Sequence, residues 1–338
     1  MGNKRQSIRL AVVVIILTVI GIVTVHFADA YILYGDVESA RESGSQLNAE
    51  KTDDLPISDE QALSAQSGEE DANKTKDESD DSLFAETLRF HIRELIAENR
   101  DGRWAVYIKN LDNQDVVLVG GGKMTSASLI KLFIAGCYFE SVQEGTVEDL
   151  YRDDIQIMLD RSDNDACNRM IDLLGYDRIR HFLAENGFTD TEINRRMLEV
   201  SSEENYTSVV DCGTLLERVF NKSFVNQDAS EFILDCLKRQ QRTGKIPSGV
   251  PAGTATANKT GELLMVENDA AIIWAPSSTY ILCVMSEDLQ FSEKAVKTII
   301  DISETVYRDI TSNHITKYKY KNDVSNHYGS EQPQMEIQ

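Results

Sequence analysis

The segment Met124–Glu140 reads MTSASLIKLFIAGCYFE, and the rest of the chain is organised around it. Its second half is apolar on every side, which predicts a helix buried in the core of a domain. Ser128 and Lys131 stand at the start of that helix, where unpaired N–H groups and the helix dipole favour a developing negative charge. They are a candidate nucleophile and the amine that activates it. The alternative is a capping serine followed by a solvated lysine, because Ser-x-x-Lys occurs by chance roughly once per chain of this size.

A second polar motif, Ser162-Asp163-Asn164, lies in a predicted loop between two helices. Helix capping by itself accounts well for Asp163. In the functional interpretation, the Ser162 hydroxyl relays a proton between Lys131 and a leaving nitrogen. The Asn164 amide then binds the backbone of a substrate.

The third motif, Lys259-Thr260-Gly261, follows a strand-like run and precedes a hairpin. We expect its lysine to bind a substrate carboxylate, its threonine to hydrogen-bond that group, and its glycine to let substrate approach the backbone closely. The N–H groups of Glu262 and Ser128 are candidates for an oxyanion hole. The alternative is an edge-strand lysine followed by a turn glycine.

A similar triplet, Arg242-Thr243-Gly244, occurs upstream of the third motif. The residues that follow it, 245–251, contain two prolines and a glycine, which is typical of a loop. The sequence therefore assigns this triplet no part in a site.

The three motifs fall within a folded domain predicted for residues 83–310. Strand patterns near both ends and helical patterns between them predict an α+β domain. We expect a five-stranded antiparallel sheet with the terminal helices on one face and a helical lobe on the other. The predicted strands are Trp104–Lys109, Val116–Val119, Ala255–Lys259, Asp269–Trp274 and Tyr280–Ser286.

The first 34 residues carry an addressing signal rather than a fold. Three basic residues precede an uncharged, apolar run from Leu10 to Ala28, which is long enough to span a bilayer. The basic flank predicts a cytoplasmic N-terminus and an extracytoplasmic domain on a single-pass transmembrane helix in the cell membrane. Cleavage after Ala30, as in a signal peptide, is the alternative, and it would release the protein. We favour the uncleaved anchor because the apolar run is long for a signal peptide.

The composition of residues 35–82, which is acidic and contains few apolar side chains, predicts a disordered linker. Between Asp36 and Ser82 there are 15 acidic and 4 basic side chains, a net charge of −11 and half of the −22 of the whole chain. Residues 311–338 predict a polar C-terminal tail. A chain this acidic would be repelled by phosphates, which argues against a nucleic-acid partner. We expect a monomer.

The cysteines and histidines do not indicate a metal or a cofactor. None of the cysteines forms a Cys-x-x-Cys pair, so buried thiols are expected in place of a zinc site. The histidines lie in the membrane run, in the tail or in helices away from the motifs, which does not support a Ser-His-Asp triad. The five cysteines are Cys137, Cys167, Cys212, Cys236 and Cys283.

The motifs that begin at Ser128, Ser162 and Lys259, in this order, are the set found in class A β-lactamases and penicillin-binding proteins. Over residues 83–310 the chain resembles the class A β-lactamase-related serine hydrolases of that superfamily. The resemblance implies an acyl-enzyme mechanism in which Ser128 attacks, Lys131 is its base and Ser162 relays the proton, with no metal or cofactor.

The substrate class also follows from the resemblance, which implies β-lactam amides. The alternative within enzymes is a D-Ala-D-Ala peptidase that acts on cell-wall peptides. The alternative from another class is a catalytically slow or idle module that binds wall peptides or β-lactams. A cytoplasmic glutaminase of the same superfamily is disfavoured by the predicted membrane span.

One departure from the family bears on turnover. In the β-lactamases a glutamate in the loop after the second motif, followed four residues later by an asparagine, activates the deacylating water. The best match here is Asp190-Thr191-Glu192-Ile193-Asn194, with an aspartate at the glutamate position. Two interpretations of Asp190 stay open: a general base with a shorter reach, or a solvated acid in a loop.

Overall fold

The computed structural model describes the backbone of residues 71–328 and the side chains of residues 83–312. The anchor or signal peptide predicted for residues 1–34 lies outside the described residues, as do linker residues 35–70. Within the described part, no helix is both long enough and apolar enough to cross a membrane.

The described residues have strands near both ends and a block of helices between them, as predicted, together with two short strands, β3 and β4, that the sequence did not predict. The helices are α1 Asp71–Asn99, α2 Ile130–Gln143, α3 Arg152–Asp160, α4 Asn164–Leu174, α5 Tyr176–Glu185, α6 Val209–Phe220, α7 Gln227–Lys238 and α8 Ser292–Tyr328. The strands are β1 Arg103–Asn110, β2 Val116–Val119, β3 Met124–Thr125, β4 Tyr206–Thr207, β5 Ala255–Leu263, β6 Val266–Ala275 and β7 Ser278–Glu287. Short 3-10 helices span Ala127–Leu129 and Ile246–Gly249.

Five strands form one antiparallel sheet in the order β2-β1-β7-β6-β5. Both faces of the sheet are covered. Along β6, Ala270 and Ile272 join the core shared with the helices between β3 and β5, whereas Ala271 and Ile273 join the core under α1 and α8. The prediction of an α+β fold with the terminal helices on one face and a helical lobe on the other is confirmed.

Both terminal helices are longer than the sequence predicts. Helix α1 begins at Asp71, inside the segment assigned to the linker, and α8 continues to Tyr328, inside the segment assigned to the tail. Leu88 in α1 and Ile299 in α8 are buried under the sheet and give each helix a packed segment. A helix that is already nucleated extends at little cost, even through residues with nothing to bury.

Strand β5 extends past the predicted end at Lys259 to Leu263. Its pairing with β6 continues through the motif, with Thr260 opposite Asp269 and Gly261 opposite Asn268. The third motif therefore lies within an edge strand of the sheet rather than at its end.

The five cysteines are buried free thiols, as predicted. Desolvation raises the pKa of Cys137, Cys167, Cys212 and Cys236 to about 12, so these thiols stay protonated and unreactive near neutral pH. Among the described residues there is no group of three His, Cys, Asp or Glu side chains placed to hold a metal ion.

Candidate active site

Ser128 lies in the 3-10 helix immediately before α2, as the sequence predicts. Its neighbours Ala127 and Leu129 are buried, whereas Ser128 is half-buried and lines a cleft. Ala127 has a φ of 46°, an uncommon conformation for a residue with a side chain. Because the turn and the helix are continuous, the position of Ser128 is tied to the most apolar helix of the domain.

Lys131 is fully buried in α2, and its ammonium makes three hydrogen bonds. Its Nζ donates to Ser162 O at 2.7 Å, to Ser162 Oγ at 3.3 Å and to Asn164 Oδ1 at 2.7 Å. Burial lowers the pKa of Lys131 to about 8, so part of the population is neutral near neutral pH. No hydrogen bond joins Lys131 to Ser128 among the described residues, although such contacts are often long in unliganded enzymes.

Ser162 connects the second motif to the third. Its Oγ accepts a hydrogen bond from Lys259 Nζ at 2.9 Å in addition to the one from Lys131. Its φ is 61°, in the left-handed region, which is uncommon for a residue other than glycine and recurs at functional sites. The backbone conformation thus aims the Ser162 hydroxyl at two buried amines.

Lys259 is fully buried, and its Nζ also donates to Thr260 O at 2.8 Å. Burial holds the pKa of Lys259 well below its usual range, and the charge of Lys131 lowers it further. Asp269 lies on the neighbouring strand β6, and burial raises its pKa to about 6. Hydrogen bonds from Asn258 and from the N–H of Ile246 favour its charged form.

The Asp163 side chain caps α4, accepting a hydrogen bond from the N–H of Ala166 at 2.7 Å. This confirms the capping interpretation for Asp163. Asn164 is the first residue of α4, and it lines the same cleft as Ser128 while its Oδ1 binds Lys131. Within the second motif, Asp163 thus caps a helix, whereas Ser162 and Asn164 belong to the site.

Gly261 brings β5 against the turn that carries Ser128. A Cβ at position 261 would lie 2.8 Å from Ser126 O and 3.3 Å from the Ala127 side chain. The sequence assigned this glycine to a close approach of substrate; the structure shows a close approach of the protein's own backbone. Asn268 fastens the same turn, since its Nδ2 donates to Thr125 O at 2.9 Å.

Asn205 ties the loop between α5 and β4 to the same turn. Its carbonyl oxygen accepts from the N–H of Ser126 at 2.8 Å, and its side chain bonds both the N–H and the carbonyl of Arg195. The loop therefore closes one side of the cleft and β5 closes the other. The cleft is lined by Ala127, Ser128, Asn164, Arg195, Met197, Leu198, Glu204, Asn205, Glu262 and Leu263.

Asp190 is not among the residues that line this cleft. Its N–H donates to Asp211 Oδ2 at 3.0 Å, on the side of the loop that faces α6. Five residues of the loop line the cleft: Arg195, Met197, Leu198, Glu204 and Asn205. Leu198 is 73% exposed. Hydrogen bonds link site residues of all three motifs to one another. In the described part of the chain, the hydrogen bond of Asp190 runs to Asp211 instead.

Arg242 lies in this region, although the sequence assigned its triplet no part in a site. The N–H of Gln241 donates to Asp160 O, close before Ser162 in the chain, and Asn258 Nδ2 donates to Arg242 O. Arg242 therefore lies between the end of α3 and the strand that carries Lys259, and its charge lowers the pKa of that lysine and of Lys131. Only the tertiary packing of this loop shows that Arg242 lies near Lys259.

The sequence profile of the β-lactamase enzyme family matches residues 87–150 and 150–310, more than half of the chain. The chain belongs to this family, and it is a β-lactamase-related serine hydrolase of α+β fold. The matched residues include all three motifs and the loop from Asn186 to Asn205.

A curated relative, a β-lactamase of Phocaeicola vulgatus, is 28% identical over 178 residues, which cover 46% of this chain and 54% of the relative. The chain thus spans about half the length of that relative. A mutant of PBP-A, solved as an acyl-enzyme complex with penicillin G, is similar with a TM-score of 0.63 and 25% identity over 67% of this chain and 97% of that one. A β-lactamase of Sphaerobacter thermophilus shares the fold, with a TM-score of 0.60 and 21% identity, and the match covers 65% of this chain and 97% of that one.

Proposed function

We propose that the protein forms an acyl-enzyme at Ser128, with β-lactam amides as the best-supported substrates and no metal or cofactor. The observation that carries the proposal is the Ser162 hydroxyl held between the amines of Lys131 and Lys259, beside the cleft that contains Ser128. Helix capping alone does not require two lysines to be buried against one serine, because burying a charged amine is costly.

In the proposed acylation, Ser128 Oγ attacks the carbonyl carbon of the amide and its proton passes to the neutral amine of Lys131. The tetrahedral oxyanion is stabilised by the N–H groups of Ser128 and Glu262, both in residues that line the cleft. Ser162 then passes a proton from the Lys131 ammonium to the leaving nitrogen as the C–N bond breaks. The acyl group remains on Ser128 as an ester.

The third motif and Asn164 hold the substrate in this proposal. Lys259 of β5 binds a substrate carboxylate in its protonated form, which the incoming negative charge favours, and Thr260 offers that carboxylate a hydrogen bond. The Asn164 amide bonds Lys131 through its oxygen and has its nitrogen left to donate to the acyl side of the substrate.

Slow deacylation is part of the proposal. The loop presents Met197 and Leu198 to the cleft. The two carboxylates that line the cleft, Glu204 and Glu262, are both bound by arginines. Among the described residues that line the cleft, no carboxylate is left free to activate a water, which favours a long-lived acyl-enzyme. This observation supports the second candidates, a D-Ala-D-Ala peptidase or a slow-release binding module.

Mass spectrometry of the intact protein after mixing with benzylpenicillin tests acylation. We expect one penicilloyl adduct on the wild type and none on Ser128→Ala, while Ser223→Ala, which removes an exposed serine far along the chain, keeps the adduct. An adduct that survives Ser128→Ala would contradict the assignment of the nucleophile. Release of D-alanine from a wall pentapeptide, measured in parallel, separates the peptidase from the β-lactam-specific alternative.

We also propose that the domain is tethered outside the cell membrane. The basic flank and apolar run of residues 1–34 and the acidic segment 35–82 support this placement. Protease added to intact cells should cut the linker and release a domain that still accepts penicillin. A domain that stays protected until the cells are lysed would contradict the orientation.

A further inference from the structure

The amine of Lys245 is buried against β5 and β6, beside the last residue of the third motif. Only 5% of the side chain is exposed. Its Nζ donates to Gly261 O at 3.3 Å and to Asn268 O at 3.0 Å, and these two residues pair across the strands. Glu267 Oε2 lies 2.6 Å from the same nitrogen, and Glu262 Oε1 lies 3.3 Å from it. An ammonium has three donors, so these acceptors occupy all of them.

The sheet does not by itself require an ammonium at this position. Strands β5 and β6 already pair through their backbones from Ala255 to Leu263. Burying a charge is costly, and replacing a buried ion pair with well-packed apolar side chains is often neutral or stabilising. The burial of Lys245 therefore points to a role beyond holding the two strands together.

One of the carbonyls that Lys245 binds belongs to a peptide group that the proposed function uses. The Gly261 carbonyl and the Glu262 N–H are the two ends of one planar trans peptide, so they point in opposite directions. With its oxygen directed at Lys245, the peptide group directs its N–H away from that lysine, in a residue that lines the cleft. A carbonyl that accepts a hydrogen bond polarises its own peptide group, which makes the N–H a stronger donor.

The other carbonyl that Lys245 binds leads to the turn that carries Ser128. It belongs to Asn268, whose side chain holds that turn by donating from Nδ2 to Thr125 O at 2.9 Å. Lys245 thus connects the peptide group of one proposed oxyanion donor to the residue that fastens the segment of the other. The separation of the Glu262 and Ser128 N–H groups depends on both contacts.

We propose that Lys245 is a positioning residue for the oxyanion hole. Its ammonium orients and polarises the peptide group between Gly261 and Glu262 and fixes that group relative to Ser128. The inference rests on the proposed function and deepens it, because it explains what sets the strength of the second oxyanion donor. The effect is exerted in the transition state, where the carbonyl oxygen becomes negative, rather than in the binding of the intact amide.

The test removes the buried ion pair without leaving a charge behind. In the double variant Lys245→Met with Glu267→Gln both partners become neutral, while Glu262 keeps an arginine partner. The matched control is Lys109→Met with Glu217→Gln, which removes a lysine–glutamate pair of 2.6 Å between β1 and α6. Both double variants keep the net charge of the wild type, so a difference between them is a local effect.

Saturation kinetics of acylation by benzylpenicillin give the maximal rate constant and the half-saturating concentration. We expect loss of Lys245 to lower the maximal rate constant by about tenfold to a hundredfold and to leave the half-saturating concentration unchanged. The infrared carbonyl stretch of the acyl-enzyme ester should move to higher frequency, because its hydrogen bond in the oxyanion hole is weaker. The control variant should change none of these quantities.

Two results would overturn the inference while the proposed function stands. One is a wild-type rate constant and carbonyl frequency in the variant that lacks Lys245. The other is an equal loss of rate in both double variants, which would indicate a general effect on the fold. The methyl ester of benzylpenicillin adds a third: if loss of Lys245 slows the acid much more than the ester, this lysine acts through the substrate carboxylate and not through the peptide group.

The free protein gives a readout that does not depend on acylation. The chemical shift of the Glu262 amide nitrogen reports how strongly its peptide group is polarised. If the wild type forms no adduct, the proposed function fails, and this shift then decides the role of Lys245. A shift that moves when Lys245 is lost, and not in the control variant, supports the polarisation; a shift that stays the same overturns it.

Discussion

The ammonium nitrogen of Lys259 lies 2.9 Å from the hydroxyl oxygen of Ser162. Lys131 donates to the same oxygen from α2, at 3.3 Å. A hydroxyl has two lone pairs and one proton, so with both lone pairs engaged the Ser162 proton has to point away from the lysines. The two amines therefore leave the Ser162 proton to be donated to a third group, as the proposed transfer to a leaving nitrogen requires.

Removal of the Ser162 hydroxyl should slow acylation more than it harms the fold. We expect Ser162→Gly to lower the acylation rate by about 10² to 10⁴-fold, the usual range for a proton-transfer group. Glycine adopts the φ of 61° without strain, so this variant isolates the hydroxyl. The rate of adduct formation with penicillin, together with the thermal unfolding midpoint, measures both effects. A folded variant with the wild-type rate would remove Ser162 from the mechanism.

The rate of acylation should rise with pH because the neutral amine of Lys131 is the proposed base. Burial lowers the pKa of Lys131 to about 8, so below that pH the neutral fraction grows about tenfold per pH unit. We expect acylation to rise from pH 6 and to level off above about pH 8. Lys131→Arg stays charged throughout and should lose both the rate and its pH dependence. A flat profile for the wild type would contradict the role of Lys131.

Gly261→Ala should separate β5 from the turn that carries Ser128. The added Cβ would lie 2.8 Å from the backbone oxygen of Ser126, so one of the two segments has to move. We expect acylation to fall by about 10² or less, since small displacements in a site carry such costs, and stability to fall by about 1–3 kcal/mol. Gly244→Ala, with nothing within 4 Å of its Cβ, is the matched control and should change neither. Wild-type acylation in Gly261→Ala would show that the close approach is dispensable.

A carboxylate introduced at the cleft should shorten the life of the acyl-enzyme. Leu198 lines the cleft and is 73% exposed, so glutamate fits there without a cavity or a buried charge. We expect Leu198→Glu to speed deacylation by about 10² or more through general-base assistance, and Leu198→Gln to leave it unchanged. The decay of the penicilloyl adduct, followed by mass spectrometry, gives the lifetime.

The same measurement decides the role of Asp190. The Asp190 N–H is bonded to Asp211 on α6, and no hydrogen bond among the described residues joins its side chain to the motifs, so Asp190→Asn and Asp190→Glu should both keep the wild-type lifetime. A lifetime that lengthens in Asp190→Asn would restore Asp190 as the base and would mean that the loop rearranges around the acyl group.

The sequence predicts those parts of the site that depend on local periodicity. Ser128 and Lys131 precede an apolar run that can only be a buried helix, and the strand pattern before Lys259 places that lysine on the sheet. Loop positions depend on long-range contacts instead. Asp190 matched a spacing, yet its N–H is bonded to Asp211 on α6, a contact that the spacing does not reveal. The segment around Arg242 had the composition of a loop, yet two hydrogen bonds bring it to the site: one from Gln241 to Asp160 of α3, and one from Asn258 of β5 to the Arg242 carbonyl.

Gly261 shows a further limit of the sequence. A glycine in a strand indicates a close approach, but the pattern does not say of what. The atom that approaches is a carbonyl oxygen of Ser126, which is distant in the chain, and only the packed structure identifies it.

Helix α2 is buried along most of its length, including Lys131 and the residues on either side of it. Segments of this kind exchange their amide hydrogens only when a whole domain opens, whereas loops exchange in local fluctuations. The amides of α2 should therefore be among the last to exchange with deuterium. Partial unfolding can loosen the loop that ends at Asn205, and with it one wall of the cleft, while Lys131 stays in place in the helix.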